Sequence, residues 1–200
     1  MYTIKENVEN LLEIKKSKFI TRLYKVYSVD EALKILKDVR EEHKDATHCC
    51  YAYRIGNVQK FSDDGEPGGT AGLPMMDMMQ KKEIDYVLCV VIRYFGGIKL
   101  GAGGLVRAYA NSVREALQRI ELKELSPGYL IEIKANYENN STLSNMINKE
   151  DIISLDYGYD IVYKIRILKD DLEKFNRFNP IILEEILIEK NFRNEKFLFC

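Results

Sequence analysis

The chain has 200 residues, 30 basic and 31 acidic, for a formal net charge of −1. That balance excludes a global pull towards nucleic acid, so any such binding has to come from a local patch. Hydrophobic residues make up 46% and charged residues 30%, which excludes a disordered or membrane-embedded chain and fits one able to bury a core without metal or disulfides. Residues 1–16 lack the apolar stretch of a signal peptide, and no apolar run approaches the ~18 residues of a membrane helix. Cys49, Cys50, Cys89 and Cys200 form no CxxC pair, as expected of thiols in a reducing cytoplasm.

Residues 19–27, rich in aromatic and β-branched side chains, read as a strand. Ser28 and Glu31 form a capping box, which predicts a helix to about His43 with Val29, Leu33, Leu36 and Val39 on its apolar side. Strands are expected at 47–54 and 58–61, joined by a turn at Gly56 and Asn57. Pro74 suits a helix start, so a helix is predicted over 75–83, with Met75, Met76 and Met79 in the core. The apolar run at 86–93 reads as a central strand buried on both faces. A helix over 105–120 follows, with Leu105, Tyr109, Val113, Ala116, Leu117 and Ile120 as its apolar stripe.

The turn-rich residues 124–128 suggest a boundary between domains 1–126 and 127–200. Beyond it the pattern predicts strand 129–135, helix 141–149, strands 152–159 and 161–168, helix 170–178 and strand 182–189, with residues 190–200 as a further edge strand. The order βαββαβ is that of a ferredoxin-like domain. The fold class is therefore α+β.

Two glycine-rich segments stand out, at 62–74 and 93–107. The second places Gly96, Gly97, Gly101, Gly103 and Gly104 between a buried strand and a helix start, an arrangement that offers backbone N–H groups to an anion. Residues 91–120 hold five bases, Arg93, Lys99, Arg107, Arg114 and Arg119, against one acid, Glu115. Neither a Walker A loop nor the Rossmann glycine spacing is present. The pattern fits an anion or phosphate-backbone site, and equally a tight turn whose glycines permit strand–helix packing.

The first segment carries Asp63, Asp64 and Glu66 within residues 61–70, a stretch with no basic residue. Three such carboxylates can ligate Mg²⁺, pair with Arg93 or Arg107 if the loops meet, or face water. Glycines and prolines at this density, including Gly69, imply a loop of fixed shape. His48 and Cys50 share one face of a strand, but at roughly 7 Å they are too far apart for a ready-made catalytic pair. His48 therefore reads as structural or as part of a binding surface.

The stretches KSKFI at 16–20, ATHCCYAYRIG at 46–56, FSDDGEPGGTAGLPM at 61–75 and VVIRYFGGIKLGAGGLVRAYANSV at 90–113 together resemble the IMPACT family, in its bacterial branch of the YigZ type. The resemblance implies a ribosomal-protein-like N-terminal α/β domain with a mixed sheet, and a ferredoxin-like second domain similar to one in elongation factor G. Its motif covers His48, Asp63, Asp64, Glu66, Gly69, Thr70, Arg93, Tyr94, Gly96, Gly97, Gly101, Gly103, Gly104 and Arg107. Gly68 and Cys49 depart from it, where relatives often carry alanine and a polar residue. The eukaryotic branch acts in translational control through a preceding RWD domain, which is not expected ahead of Lys16.

The resulting expectation is a cytoplasmic RNA- or ribosome-binding protein in translation regulation, without catalytic residues, metal or cofactor. Lys99 joins the motif residues as a binding group, and Tyr94 and Phe95 stand beside it to stack unpaired bases. A Mg²⁺-dependent phosphoester hydrolase built on the acidic loop and a protein-interaction adaptor are the alternatives. The central expectation is that Arg93 and Arg107 converge on one open pocket beside Asp64.

Overall fold

The computed structural model describes residues 1–189; the edge strand expected at 190–200 lies outside them. The chain divides into two compact units, Met1–Lys123 and a second from Glu124 on.

In the first unit, strands β1 (Tyr2–Ile4) and β2 (Val8–Ile14) precede β3 (Ser17–Lys25). Helix α1 (Val29–Glu42), strands β4 (His48–Ile55) and β5 (Val58–Ser62), helix α2 (Gly72–Lys81), strand β6 (Val87–Tyr94) and helix α3 (Ala102–Gln118) follow. The sheet order is β2-β3-β6-β4-β5. Every pairing in it is antiparallel, which corrects the expected mixed sheet. The short β1 and β2 carry no clear signal in the sequence, because the β2–β3 hairpin turns on Lys15 and Lys16 in left-handed conformations, φ 47° and 65°. Glycine or asparagine normally marks such a turn.

Successive residues of β6 face opposite ways. Val87, Cys89 and Val91 join the core under α2 and α3, while Leu88, Val90 and Ile92 join the core under α1. That two-sided burial is what the continuous apolar run predicts. In α1 the Ser28 hydroxyl caps the Glu31 N–H at 3.2 Å, and the Glu31 carboxylate reaches the Tyr27 N–H at 2.8 Å. The buried side of α1 uses Ala32 with Leu36 and Val39, and leaves Leu33 exposed.

The second unit runs β7 (Leu122–Ala135), α4 (Tyr137–Met146), β8 (Ile152–Tyr157), β9 (Ile161–Leu168), a 3-10 helix (Lys169–Phe178) and β10 (Ile181–Glu189). A single 3-10 turn, Lys149–Asp151, precedes β8. The sheet built on β7 has the order β1-β7-β9-β8, with β10 also paired to β7; within it β10-β7-β9-β8 is the ferredoxin-like arrangement, with the second crossover wound as 3-10 rather than α-helix. Residues 124–128, expected as a turn, are extended and belong to β7. Pro127 is tolerated there because β9 pairs only from Gly128 onward, so its missing N–H leaves no gap in that ladder. The core of this unit, around Ile131, Ile133, Leu143 and Ile165, shares no residue with the other two.

Candidate functional site

The alternation that buries β6 also decides where its last two residues point. Arg93 follows Val91 to the α3 side, and Tyr94 follows Ile92 to the α1 side. Register places Arg93 between Phe19 on β3 and His48 on β4. The Arg93 guanidinium lies between two rings, 5.4 Å from the Phe19 centroid and 5.5 Å from that of Phe95. It donates to Glu66 Oε1 at 2.5 Å. The side chains of Arg93 and Glu66 are only 6% and 3% exposed. The pair is a buried ion pair in which each charge offsets the desolvation of the other.

A polar network spreads from Glu66. The Tyr109 hydroxyl of α3 donates to the same Oε1 at 2.8 Å, and His48 Nε2 lies 3.7 Å from Oε2. Cys50, one step along the same face of β4, donates its thiol to the Asp63 carbonyl at 3.0 Å and to the Tyr109 hydroxyl at 3.4 Å. Burial pushes the Cys50 thiol up to about 12, with Glu66, Asp64 and Asp63 adding to the effect. Burial likewise pushes the Tyr109 phenol far above its ordinary range. A thiol held protonated in this way is a poor nucleophile.

The acidic loop has a fixed shape, and its carboxylates produce it. Asp63 accepts the N–H groups of Gly69, Ala71 and Gly72 at 2.8, 3.0 and 2.8 Å, serving as the cap of α2 from a distance. This is why α2 begins at Gly72, ahead of the expected residue 75, although its adjacent N-cap Ala71 offers no side-chain acceptor. Asp64, left-handed at φ 46°, accepts the Cys49 N–H at 2.7 Å and an N–H of Arg40 at 2.9 Å. Its carbonyl lies 2.9 Å from His48 Nδ1. Thr70 turns its hydroxyl to the Pro67 carbonyl at 2.7 Å. The three carboxylates thus already hold protein donors. No three His, Cys, Asp or Glu side chains among the described residues are grouped to hold a metal ion.

The second segment looks outward. The Phe95 N–H is held by Thr47 Oγ1 at 3.0 Å and the Gly96 N–H by Ser17 Oγ at 3.1 Å. Only glycine fits at 96, where a Cβ would lie 2.0 Å from the Lys16 carbonyl carbon. That contact brings the Lys15–Lys16 turn against the loop. Gly101, at φ 73°, is the N-cap of α3 and has no side chain to cap it; the first turn carries no acid. Gly97, Lys99, Gly101 and Gly103 are exposed, Gly104 is half-buried, and Arg107 is exposed with its Nε donating to the Gly103 carbonyl at 3.1 Å.

Three expectations are corrected by this geometry. Arg93 and Arg107 do not converge on an open pocket beside Asp64, because Arg93 is sealed against Glu66 while Arg107 faces solvent. The acidic loop does pair with Arg93, but through Glu66, while Asp64 takes Arg40 of α1 instead. Tyr94 does not stand beside Phe95 as a stacking ring, since its hydroxyl meets His43 Nδ1 at 2.8 Å on the opposite face. Phe19, Cys50 and Tyr109 belong to the network and were not singled out for it; the parity of β3, β4 and β6 is the signal that would have found the first two.

Residues 15–117, which contain every one of these groups, match the model of the Impact N-terminal domain. The chain belongs to the IMPACT family. It is 36% identical to IMPACT family member YvyE of Bacillus subtilis over 88% of this chain and 84% of that protein. It is 35% identical to IMPACT family member YigZ of Escherichia coli over 82% and 84%. A crystal structure of a hypothetical protein matches with a TM-score of 0.65 at 31% identity, covering 96% of this chain and 98% of that one. No helix among the described residues is long and apolar enough to cross a membrane.

Proposed function

We propose that this IMPACT family chain binds RNA, in a ribosomal setting, as part of translation regulation. The observation that carries the reading is the outward surface formed by the Lys15–Lys16 turn, the loop at 95–101 and the uncapped start of α3. Lys15, Lys16, Lys99 and Arg107 are all exposed there. Of the two acids in this hairpin, Glu9 is bound by Arg22 and Glu13 lies opposite Lys18. Lysine and arginine at this density neutralise phosphates and release counterions, and a helix start without a cap presents free N–H groups to the same anions. The carboxylates of the acidic loop are bound to protein donors and shape this end of the domain, which favours the binding reading over the hydrolase alternative.

The test is RNA binding measured across a salt series. Lys99→Ala and Arg107→Ala should each weaken binding and lower the salt slope by about one phosphate contact. Unchanged affinity and slope in both variants would remove the reading. Co-sedimentation with ribosomes that survives nuclease treatment would point to a protein partner, the adaptor alternative.

A further inference from the structure

The basic residues explain attraction to phosphate but leave one feature of the same surface unused. Phe95 is 45% exposed, yet it is among the most firmly held residues of the loop. Its N–H is fixed by Thr47 and the next N–H by Ser17. Gly96 seats the backbone against Lys16 with no room for a side chain. Beneath the ring lies the Arg93 guanidinium, itself backed by Phe19 and tied to buried Glu66. The layers Phe19, Arg93 and Phe95 form a stack that ends at the surface.

We infer that the outer face of Phe95 is a stacking platform for one unpaired base of single-stranded RNA, with Lys99 and the Lys15–Lys16 turn holding the flanking phosphates. The inference rests on the RNA-binding reading of this surface and narrows it to a substrate class. An aromatic ring held in advance loses little conformational freedom when a base settles on it. Every base offers a π face, so such a platform tolerates any sequence. A base in duplex RNA is already stacked on its neighbours, and duplexes are read by shape and backbone. The ring therefore favours single strands, whereas the lysines alone would serve both forms.

The experiment compares the parent protein with Phe95→Ala and Phe95→Tyr on a 12-nucleotide single strand and on the same sequence as a duplex. A 2-aminopurine in the strand reports stacking by fluorescence, and circular dichroism confirms folding. The parent should prefer the single strand. Phe95→Ala should lose about tenfold in single-strand affinity, with no change in salt slope or duplex affinity and with the 2-aminopurine signal relieved; Phe95→Tyr should restore the affinity and the 2-aminopurine signal. Parent-like binding by Phe95→Ala, while Lys99→Ala still lowers the slope, would overturn the platform and leave RNA binding intact. No binding of either form by the parent at low salt would remove both.

Discussion

Arg93 and Arg107 are the same residue type 14 positions apart, and their surroundings give them opposite work. Arg93 is buried with Glu66 as its counter-charge, so Arg93→Ala leaves a carboxylate stranded in the core. Removal of one partner from a buried pair costs about 3–5 kcal/mol, and urea denaturation should show a loss of that size. Arg107→Ala, on the exposed side of α3, should change stability by less than about 0.5 kcal/mol. Cys50 makes a separate prediction in pH. Its thiol is raised by burial from an ordinary 9.0 to about 12, so the folded chain holds that proton more tightly than the unfolded one. The stabilisation is complete below pH 9 and is lost as pH climbs from 9 towards 12, at about 1.4 kcal/mol per unit for one group. Urea unfolding at pH 8 and pH 10 should show the decline, and Cys50→Ala should reduce it.

Among the elements, α2 and the acidic loop depend on one side chain. Asp63 satisfies three N–H groups at once. Asp63→Ala should cost about 2 kcal/mol, the upper range for a helix cap, and hydrogen exchange at Gly69, Ala71 and Gly72 should quicken. Asp63→Asn, which keeps one carbonyl oxygen, should cost less. The position of α2 was only partly legible for the same reason. Pro74 correctly signals a helix, but the start at Gly72 is set by a carboxylate nine residues earlier in the chain, and no local pattern encodes that reach. The β2–β3 hairpin was illegible because its turn uses two lysines held left-handed by pairing with the rest of the sheet. In α3 and β6, by contrast, the expected apolar positions within each element are buried, while Ile120 and Tyr86, just outside them, are half-buried, since a long run of correct spacing leaves one way to face a core.

For the whole molecule, the separation of the cores has a measurable consequence. The clusters around Val91 and Val90 lie in the first unit and the cluster around Ile131 in the second. Arg93→Ala should therefore speed hydrogen exchange across β3, β4 and β6 while peptides from α4 to β9 keep their parental protection. Equal acceleration in both units would mean that they unfold as one.

By itself the sequence determined the α+β class, the βαββαβ order of the second unit, the two-sided burial of β6 and the family resemblance, because periodicity and motif spacing are properties of adjacent residues. Only the tertiary structure decided that Arg93 faces inward, that Asp63 and Asp64 hold distant backbone N–H groups, and that Phe95 alone of the two neighbouring rings stays at the surface. Each of those outcomes depends on which distant strand, loop or helix supplies the facing partner, and on whether that partner can compensate a buried charge.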